Sequence, residues 1–294
     1  MTSRCAEIRR CRPLLGTFVE VVARADSSDR ASAALEAAFA AVARVQRLMS
    51  FHDPASDVSR INRDAAREAV EVDRWTLRVL AAARDLQART RGVFDVGVAP
   101  WLQRWGYLPD TPVCRAPARR ASAEPAFEIG PGRRVRFRRP AAIDLGGIAK
   151  GFAVDRAVEA LVRAGAASGA VNAGGDLRVF GREPSALHVR HPREPGRLLP
   201  LGTLRDAAFA TSADTFARRH WRGRAVSPLV DPTRGRPCVP ARSASVRAST
   251  CLVADALTKV VMILGRRSAP ILRAHRASGF LITAQGDVRL CEAA

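Results

Sequence analysis

An α+β fold, mixed sheets with helices packed on them, is what this sequence predicts, and three observations lead there. Short β-type runs such as Phe18, Val19, Val21 and Val22 are mixed with alanine-rich stretches at helical spacing. Polar, glycine-bearing turns separate many of these runs, as in Asn172-Ala173-Gly174-Gly175-Asp176. The chain has 294 residues, 47% of them hydrophobic, enough to bury a sizeable core as one large domain or two closely packed lobes. We take residues 1–294 as a single domain, with no internal repeat.

The elements follow in order. Residues 14–24 read as a strand. Ser28 or Asp29 suits the cap of a helix over 31–48, where Leu35, Phe39, Val42 and Val45 recur at helical spacing. Residues 50–64 read as a loop, and a second helix lies near 75–90. A Trp-rich segment then ends in Trp105-Gly106-Tyr107. Residues 108–126, rich in Pro, Ala and Arg without periodicity, read as a variable linker. Strands at 134–137 and 141–144 precede a helix over 149–164. A hairpin pairs 169–171 with 177–180, and strands follow near 187–190 and 201–210. A Pro-containing loop, 230–240, leads to a strand at 244–248, helices at 254–264 and 269–277, and a last hairpin of 279–283 with 288–290.

Composition narrows the function classes. The net charge of +20 comes almost wholly from arginine, spread along the chain. The densest cluster, Arg133, Arg134, Arg136, Arg138 and Arg139, alternates with Val135 and Phe137 as a strand with a solvated face would. No zinc-finger, bZIP or RNP-type pattern supports specific nucleic-acid binding. Cys5, Cys11, Cys114, Cys238, Cys251 and Cys291 are scattered, with no CxxC pair, and read as reduced thiols. No apolar run is long enough to span a membrane, and no signal h-region follows the basic residues 1–12, so a cytoplasmic location is expected.

Lysine, asparagine and tyrosine are scarce. The chain has two lysines, Lys150 and Lys259, two asparagines, Asn62 and Asn172, and one tyrosine, Tyr107. Such a bias fits a GC-rich coding sequence, under which a retained lysine marks a place where arginine would not serve.

Several segments carry chemistry. In Ile143-Asp144-Leu145-Gly146-Gly147-Ile148-Ala149-Lys150-Gly151, glycines admit close approach, the helix start attracts an anion and Lys150 adds a point charge. The same residues also suit a tight turn with a helix cap. Asn172–Asp176 repeats the glycine-bearing turn and, taken alone, reads as a hairpin connection. Trp101, Trp105 and Tyr107 serve as stacking rings if exposed and as core if buried. Ala210-Thr211-Ser212-Ala213-Asp214 reads as a polar turn before a helix, with Asp214 a possible cap. Asp231-Pro232 marks a turn, and Ala254-Asp255-Ala256-Leu257-Thr258-Lys259 opens a helix.

In this order, the segments resemble the ApbE-type FAD:protein FMN transferases over nearly the whole chain. The resemblance runs through Leu15-Gly16-Thr17-Phe18, Phe94-Asp95-Val96, Trp105-Gly106-Tyr107, Asp144–Gly151, Asn172–Asp176, Ala210-Thr211-Ser212, Asp231-Pro232 and Ala254-Asp255-Ala256-Leu257. It implies a T-fold-related architecture and an activity: FMN is moved from FAD to a Ser or Thr of a flavoprotein acceptor, which the sequence does not identify, with Mg²⁺, and AMP is released. It implies FAD contacts at Leu15, Trp105, Gly106, Tyr107, Asp144, Lys150 and Leu229. It implies Mg²⁺ ligands at the Gly147 carbonyl and Asp255, with Thr258 the nearest hydroxyl to the third.

Three positions depart from the family pattern. Leu15 stands for Met, a volume-conserving change. The metal-binding Thr four residues after the Asp is Lys259 here. The family His three residues before Asp-Pro is Pro228, which neither accepts a proton nor attacks phosphorus, so the catalytic residue is left unassigned. His52, His188, His191 and His220 are the candidates to replace it. The alternative is therefore an FAD-binding relative with little or no transfer.

Overall fold

A computed structural model describes residues 6–110, 116–194, 196–213, 217–238 and 242–292. Eight of its strands form one antiparallel sheet, and neighbours in the sheet follow one another along the chain. They are β1 (Ala6–Leu14), β2 (Thr17–Ala25), β3 (Ser168–Ala173), β4 (Asp176–Phe180), β5 (Ala207–Ala213), β6 (Ser243–Ala248), β7 (Ser278–Ile282) and β8 (Val288–Glu292). Two helix-bearing excursions leave this sheet. The first, between β2 and β3, contains α1 (Ser28–Met49), α2 (Asp57–Asp64), α3 (Arg74–Arg89), α4 (Ala99–Arg104) and α5 (Ala149–Arg163); the second, between β6 and β7, contains α6 (Cys251–Leu264) and α7 (Ala269–Ala274). The α+β expectation therefore holds.

Alternation explains β2. Val19, Val21, Ala23 and Ala25 are buried, while Phe18 and the residues between them face outward. The strand expected at 14–24 is in fact the second arm of a hairpin. Ala6–Leu14 pairs along its whole length with Thr17–Ala25, and Leu15-Gly16 is the turn. Both turn residues have positive φ, 57° and 70°, the geometry a two-residue hairpin requires.

Alanines set the helix layer. α1 buries Ala31, Ala34, Leu35, Ala38, Phe39, Val42 and Val45, and packs against α5. Its cap is Ser27, whose side chain accepts from Arg30 N at 3.2 Å, rather than Ser28 or Asp29. Gly151 fixes how closely α5 meets α6: a Cβ there would lie 2.2 Å from the Cys251 carbonyl oxygen. The N-terminus of α6 is closed by Asp155, which accepts from Cys251 N and Leu252 N, both at 2.9 Å. That helix begins at Cys251, three residues before the expected start. The core lies between these helices and the sheet, and a smaller apolar cluster around Leu187, Val189, Leu204 and Phe209 covers another part of it.

Several expected elements differ. The loop at 50–64 contains α2, capped by Ser56. The segment 141–144 is not a sheet strand. Its Ile143 backbone is clasped by the one side chain of Asn62, with Nδ2 donating to the Ile143 carbonyl at 2.9 Å and Oδ1 accepting from its N–H at 2.8 Å. Residues 201–210 divide between a strand Leu198–Leu204, paired with Ser185–Arg190, and β5, with Asp206 at φ 41° between them. Thr211 and Ser212 belong to β5 rather than to a turn. The strand Arg134–Phe137 forms as expected, exposing Arg134 and Arg136 and burying Val135 and Phe137. Within the expected linker, 116–126 has no helix or strand, and Ala121 N donates to the Pro232 carbonyl at 2.8 Å. Asp214, Cys5 and Cys114 lie outside the described residues, whereas Cys11, Cys251 and Cys291 are thiols. No described helix is long and apolar enough to cross a membrane.

Candidate active site

A cavity of about 760 Å³ opens where the β1–β2 turn, the end of α1, the start of α5 and the end of β5 converge. Leu15 and Gly16 form its rim. The turn is anchored to α1 by Leu15 N, which donates to Gln46 Oε1 at 2.6 Å. A non-glycine residue in the left-handed region is costly, and here it puts the Leu15 side chain beside the cavity.

One wall is the segment 144–150, with Asp144, Gly146, Gly147, Ala149 and Lys150 exposed to the cavity. Asp144 is held by its own backbone, its N–H donating to the Val96 carbonyl at 2.8 Å, and its carboxylate accepts from Gly146 N at 3.1 Å. A Cβ on Gly146 would approach that carboxylate to 2.9 Å, so the turn requires a small residue. Burial pushes Asp144 above the ordinary carboxylate range, opposed by the Gly146 N–H and the charge of His52. Asp95 also lines the cavity. Burial pushes it up to about 6, opposed by the Gly97 N–H, which donates at 2.7 Å.

The floor is a set of four charged groups. Lys150 Nζ is paired with Asp176 and Lys259 Nζ with Asp255. Both carboxylates are buried, and both lysines line the cavity. Asp255 is completed by Gly151 N, which donates to Oδ2 at 3.0 Å, and Lys259 Nζ also donates to the Asp255 carbonyl at 2.9 Å. Burial alone would lower Lys150, but the Asp255 and Asp176 charges outweigh it and hold the ammonium well above the ordinary lysine value. Burial opposes ionisation of Asp255, and Lys150 and Lys259 outweigh that, leaving it low. Asp176 is raised, by burial and by the Asp255 charge, with Lys150 opposing. Two ammoniums facing two carboxylates leave the set without net charge.

The opposite wall carries Tyr107, Pro228, Leu229, Val230 and Pro232. The Tyr107 hydroxyl reaches the Ala217 carbonyl at 2.6 Å and that of Val226 at 2.9 Å, which locks the ring in place. Trp105 does not line the cavity. It is buried behind this wall with Leu102, Val226 and Val230, its ring 5.9 Å from that of Trp101. Gly106 is also outside the lining, its carbonyl accepting from Arg219 at 2.5 Å. Of the four candidate histidines, His52 alone lines the cavity.

The cavity thus brings together Leu15, Tyr107, Asp144, Gly147, Lys150 and Leu229, as the motifs imply, with Pro228 and Lys259 among them. Sequence reasoning gave no role to Asn62, Asp95 or Asp176. The scarcity of asparagine was the signal available for Asn62.

Mg²⁺ takes about six oxygen ligands in near-octahedral geometry. The donor set here does not fit it. Asp255 Oδ1 is held by the Lys259 ammonium and Oδ2 by Gly151 N. Thr258 Oγ1 donates to the Asp255 carbonyl of its own turn and lies 2.6 Å from both that oxygen and Ser212 Oγ. Thr258 is fully buried and outside the cavity lining, so it does not replace the expected hydroxyl ligand.

Known proteins resemble this chain over most of its length. An FAD:protein FMN transferase of Rhodobacter capsulatus is 30% identical over 226 residues, 72% of this chain but 42% of its own length, so the aligned region is less than half of that relative. The Vibrio cholerae FAD:protein FMN transferase is 29% identical over 257 residues, 81% of this chain and 76% of its own. The crystal structure of the ApbE protein of Thermotoga maritima superposes with a TM-score of 0.83 at 27% identity, covering 97% of both chains. The ApbE family model matches residues 15–281, and the chain belongs to the ApbE family.

Proposed function

We propose that this protein is an FAD:protein FMN transferase. The observation that carries the reading is the cavity of about 760 Å³ that residues from most of the motif segments line. FAD lies with its flavin near Leu15, Tyr107 and Leu229, over the wall backed by Trp105 and Gly106. Its pyrophosphate reaches the start of α5, where Gly147 permits close approach and Lys150 supplies charge. Asp144, held in its turn by Gly146, accepts hydrogen bonds from the ligand.

The partner is a flavoprotein bearing an acceptor Ser or Thr. Its hydroxyl oxygen bonds to the FMN phosphorus, the bond from that phosphorus to the oxygen of AMP breaks, and the hydroxyl proton is lost. Mg²⁺ accompanies FAD in the family resemblance, with Gly147, Asp255 and Thr258 as its ligands. The Lys259 contact with Asp255 and the inward turn of Thr258 argue against that set in this chain.

The test is incubation of the purified protein with FAD and a candidate acceptor, following AMP release and covalent flavin on the acceptor. Both should rise together. FAD binding with neither product supports a second reading, a flavin-binding relative with little transfer. Pro228 at the family His position is the observation that favours it.

A further inference from the structure

The two lysines of the whole chain meet in one place. Lys150 and Lys259 arrive from different helices, α5 and α6, and each ends on a buried carboxylate at the floor of the same cavity. Elsewhere the chain uses arginine for positive charge. An ammonium is compact and has no planar fork to accommodate, which suits a floor where the Lys259 side chain passes within about 3.6 Å of where a Cβ on Gly147 would stand.

Charge counting then gives the consequence. With a neutral residue at position 259, Asp176 and Asp255 would face Lys150 alone, and the floor would carry a net negative charge. A buried negative charge beside an incoming pyrophosphate calls for a cation. With Lys259 in place, two ammoniums face two carboxylates, and the floor is never negative. The Nζ of Lys259 also occupies Asp255 Oδ1 and the Asp255 carbonyl, the oxygens closest to it.

We propose that Lys259 is a built-in replacement for the divalent cation, so that this cavity binds the pyrophosphate of FAD without metal. The inference rests on the flavin reading above and concerns how the same site is charged. Lys259 is held on Asp255 and offers its one remaining N–H donor to a phosphate oxygen, while Lys150 serves the other side. A like-charged Mg²⁺ is excluded from the position the ammonium holds.

Two measurements test this on the full-length protein. In the first, Mn²⁺ alone is titrated into the protein without flavin and followed by electron paramagnetic resonance. The wild type takes up no Mn²⁺ at this site, and Lys259→Thr gains one site that Asp255→Asn in the same background removes. Stoichiometric uptake by the wild type that is lost in Asp255→Asn overturns the proposal. In the second, FAD is titrated in chelator and then with Mg²⁺. Wild-type affinity is the same in both. Lys259→Thr, checked as folded by circular dichroism, binds about tenfold more weakly in chelator, the scale of one charge-assisted hydrogen bond, and recovers with Mg²⁺. Wild-type binding that collapses in chelator, or a Lys259→Thr protein equal to wild type there, overturns it. If no variant binds FAD under either condition, the flavin reading fails, whereas the Mn²⁺ result still decides what Lys259 does to a cation.

Discussion

Ion pairs on the surface of this protein and those at the cavity floor differ in how far water reaches them. On the outside, Arg10 and Arg12 share Glu36, Arg89 meets Asp85 and Arg133 meets Glu71, every one of these side chains about half exposed. At the cavity floor, Lys150 and Lys259 meet Asp176 and Asp255, whose side chains are 2% and 0% exposed. Water solvates the outer pairs whether or not they form, so each contributes little to stability. The inner carboxylates have no such alternative. Removing a partner there leaves a buried charge alone, which costs about 3–5 kcal/mol. Most of the arginine surplus lies toward the surface, whereas the cavity floor takes its positive charge from two lysines.

The largest expected effect comes from turning the floor back to the family pattern. The double variant Pro228→His, Lys259→Thr should gain Mg²⁺-dependent AMP release from FAD, by up to about 10²- to 10⁴-fold over wild type, the range for a positioned general base. If the wild type already releases AMP at a rate the double variant does not improve, another residue supplies the proton transfer, with His52 the first to test. Next in size is Asp255→Ala, which strands Lys259 and leaves the Gly151 N–H without an acceptor. A loss of about 3–5 kcal/mol in chemical denaturation is expected, against under about 1 kcal/mol for Arg89→Ala on the surface. Equal losses for the two would erase the distinction between the regions.

Asp95 gives a pH dependence of definite sign. Its carboxyl is raised to about 6 in the folded protein from an ordinary 3.8. The folded state therefore holds this proton more tightly than the unfolded chain. Its contribution to stability is complete below about 4 and is lost as pH rises through about 6. Asp95→Asn should gain stability relative to wild type over that window, by no more than about 3 kcal/mol at neutral pH, with no further gain above about 7. A difference between the two proteins that is flat from low to neutral pH would contradict this. The smallest inner effect is on FAD affinity. Lys150→Ala should lose about 1–3 kcal/mol by calorimetric titration, and Lys150→Arg should be impaired too, since a planar fork does not sit where an ammonium does.

Much of this was legible in the sequence where pattern and chemistry coincide. The hairpin around Asn172–Asp176, the alanine-rich α1 and α5 and the strand Arg134–Phe137 all announce themselves by periodicity or by glycine turns. The first strand, Ala6–Leu14, was not legible because it lies at the sheet edge with no residue fully buried, so no apolar alternation marks it. α2 was hidden in polar residues, with Val58 and Ile61 its two buried apolar side chains. The site was legible as segments but not as contacts. Thr258 stands next to Lys259 in sequence, yet one residue along a helix turns a side chain by about 100°, which takes Thr258 out of the cavity lining and sets it behind Ser212 of the cavity wall. Asn62 is eighty-one residues from the backbone it clasps, a distance no local pattern reports.

The presence of two lysines in the chain makes the central claim directly observable. With isotope-labelled lysine, nuclear magnetic resonance of the protein should give two side-chain Cε signals, assigned by Lys150→Arg and Lys259→Thr. Addition of FAD in the presence of a chelator should move both signals, and addition of Mg²⁺ without FAD should move neither. A Lys259 signal that stays in place when FAD binds, or that shifts with Mg²⁺ alone, would contradict the assignment of this lysine as the resident cation of the site.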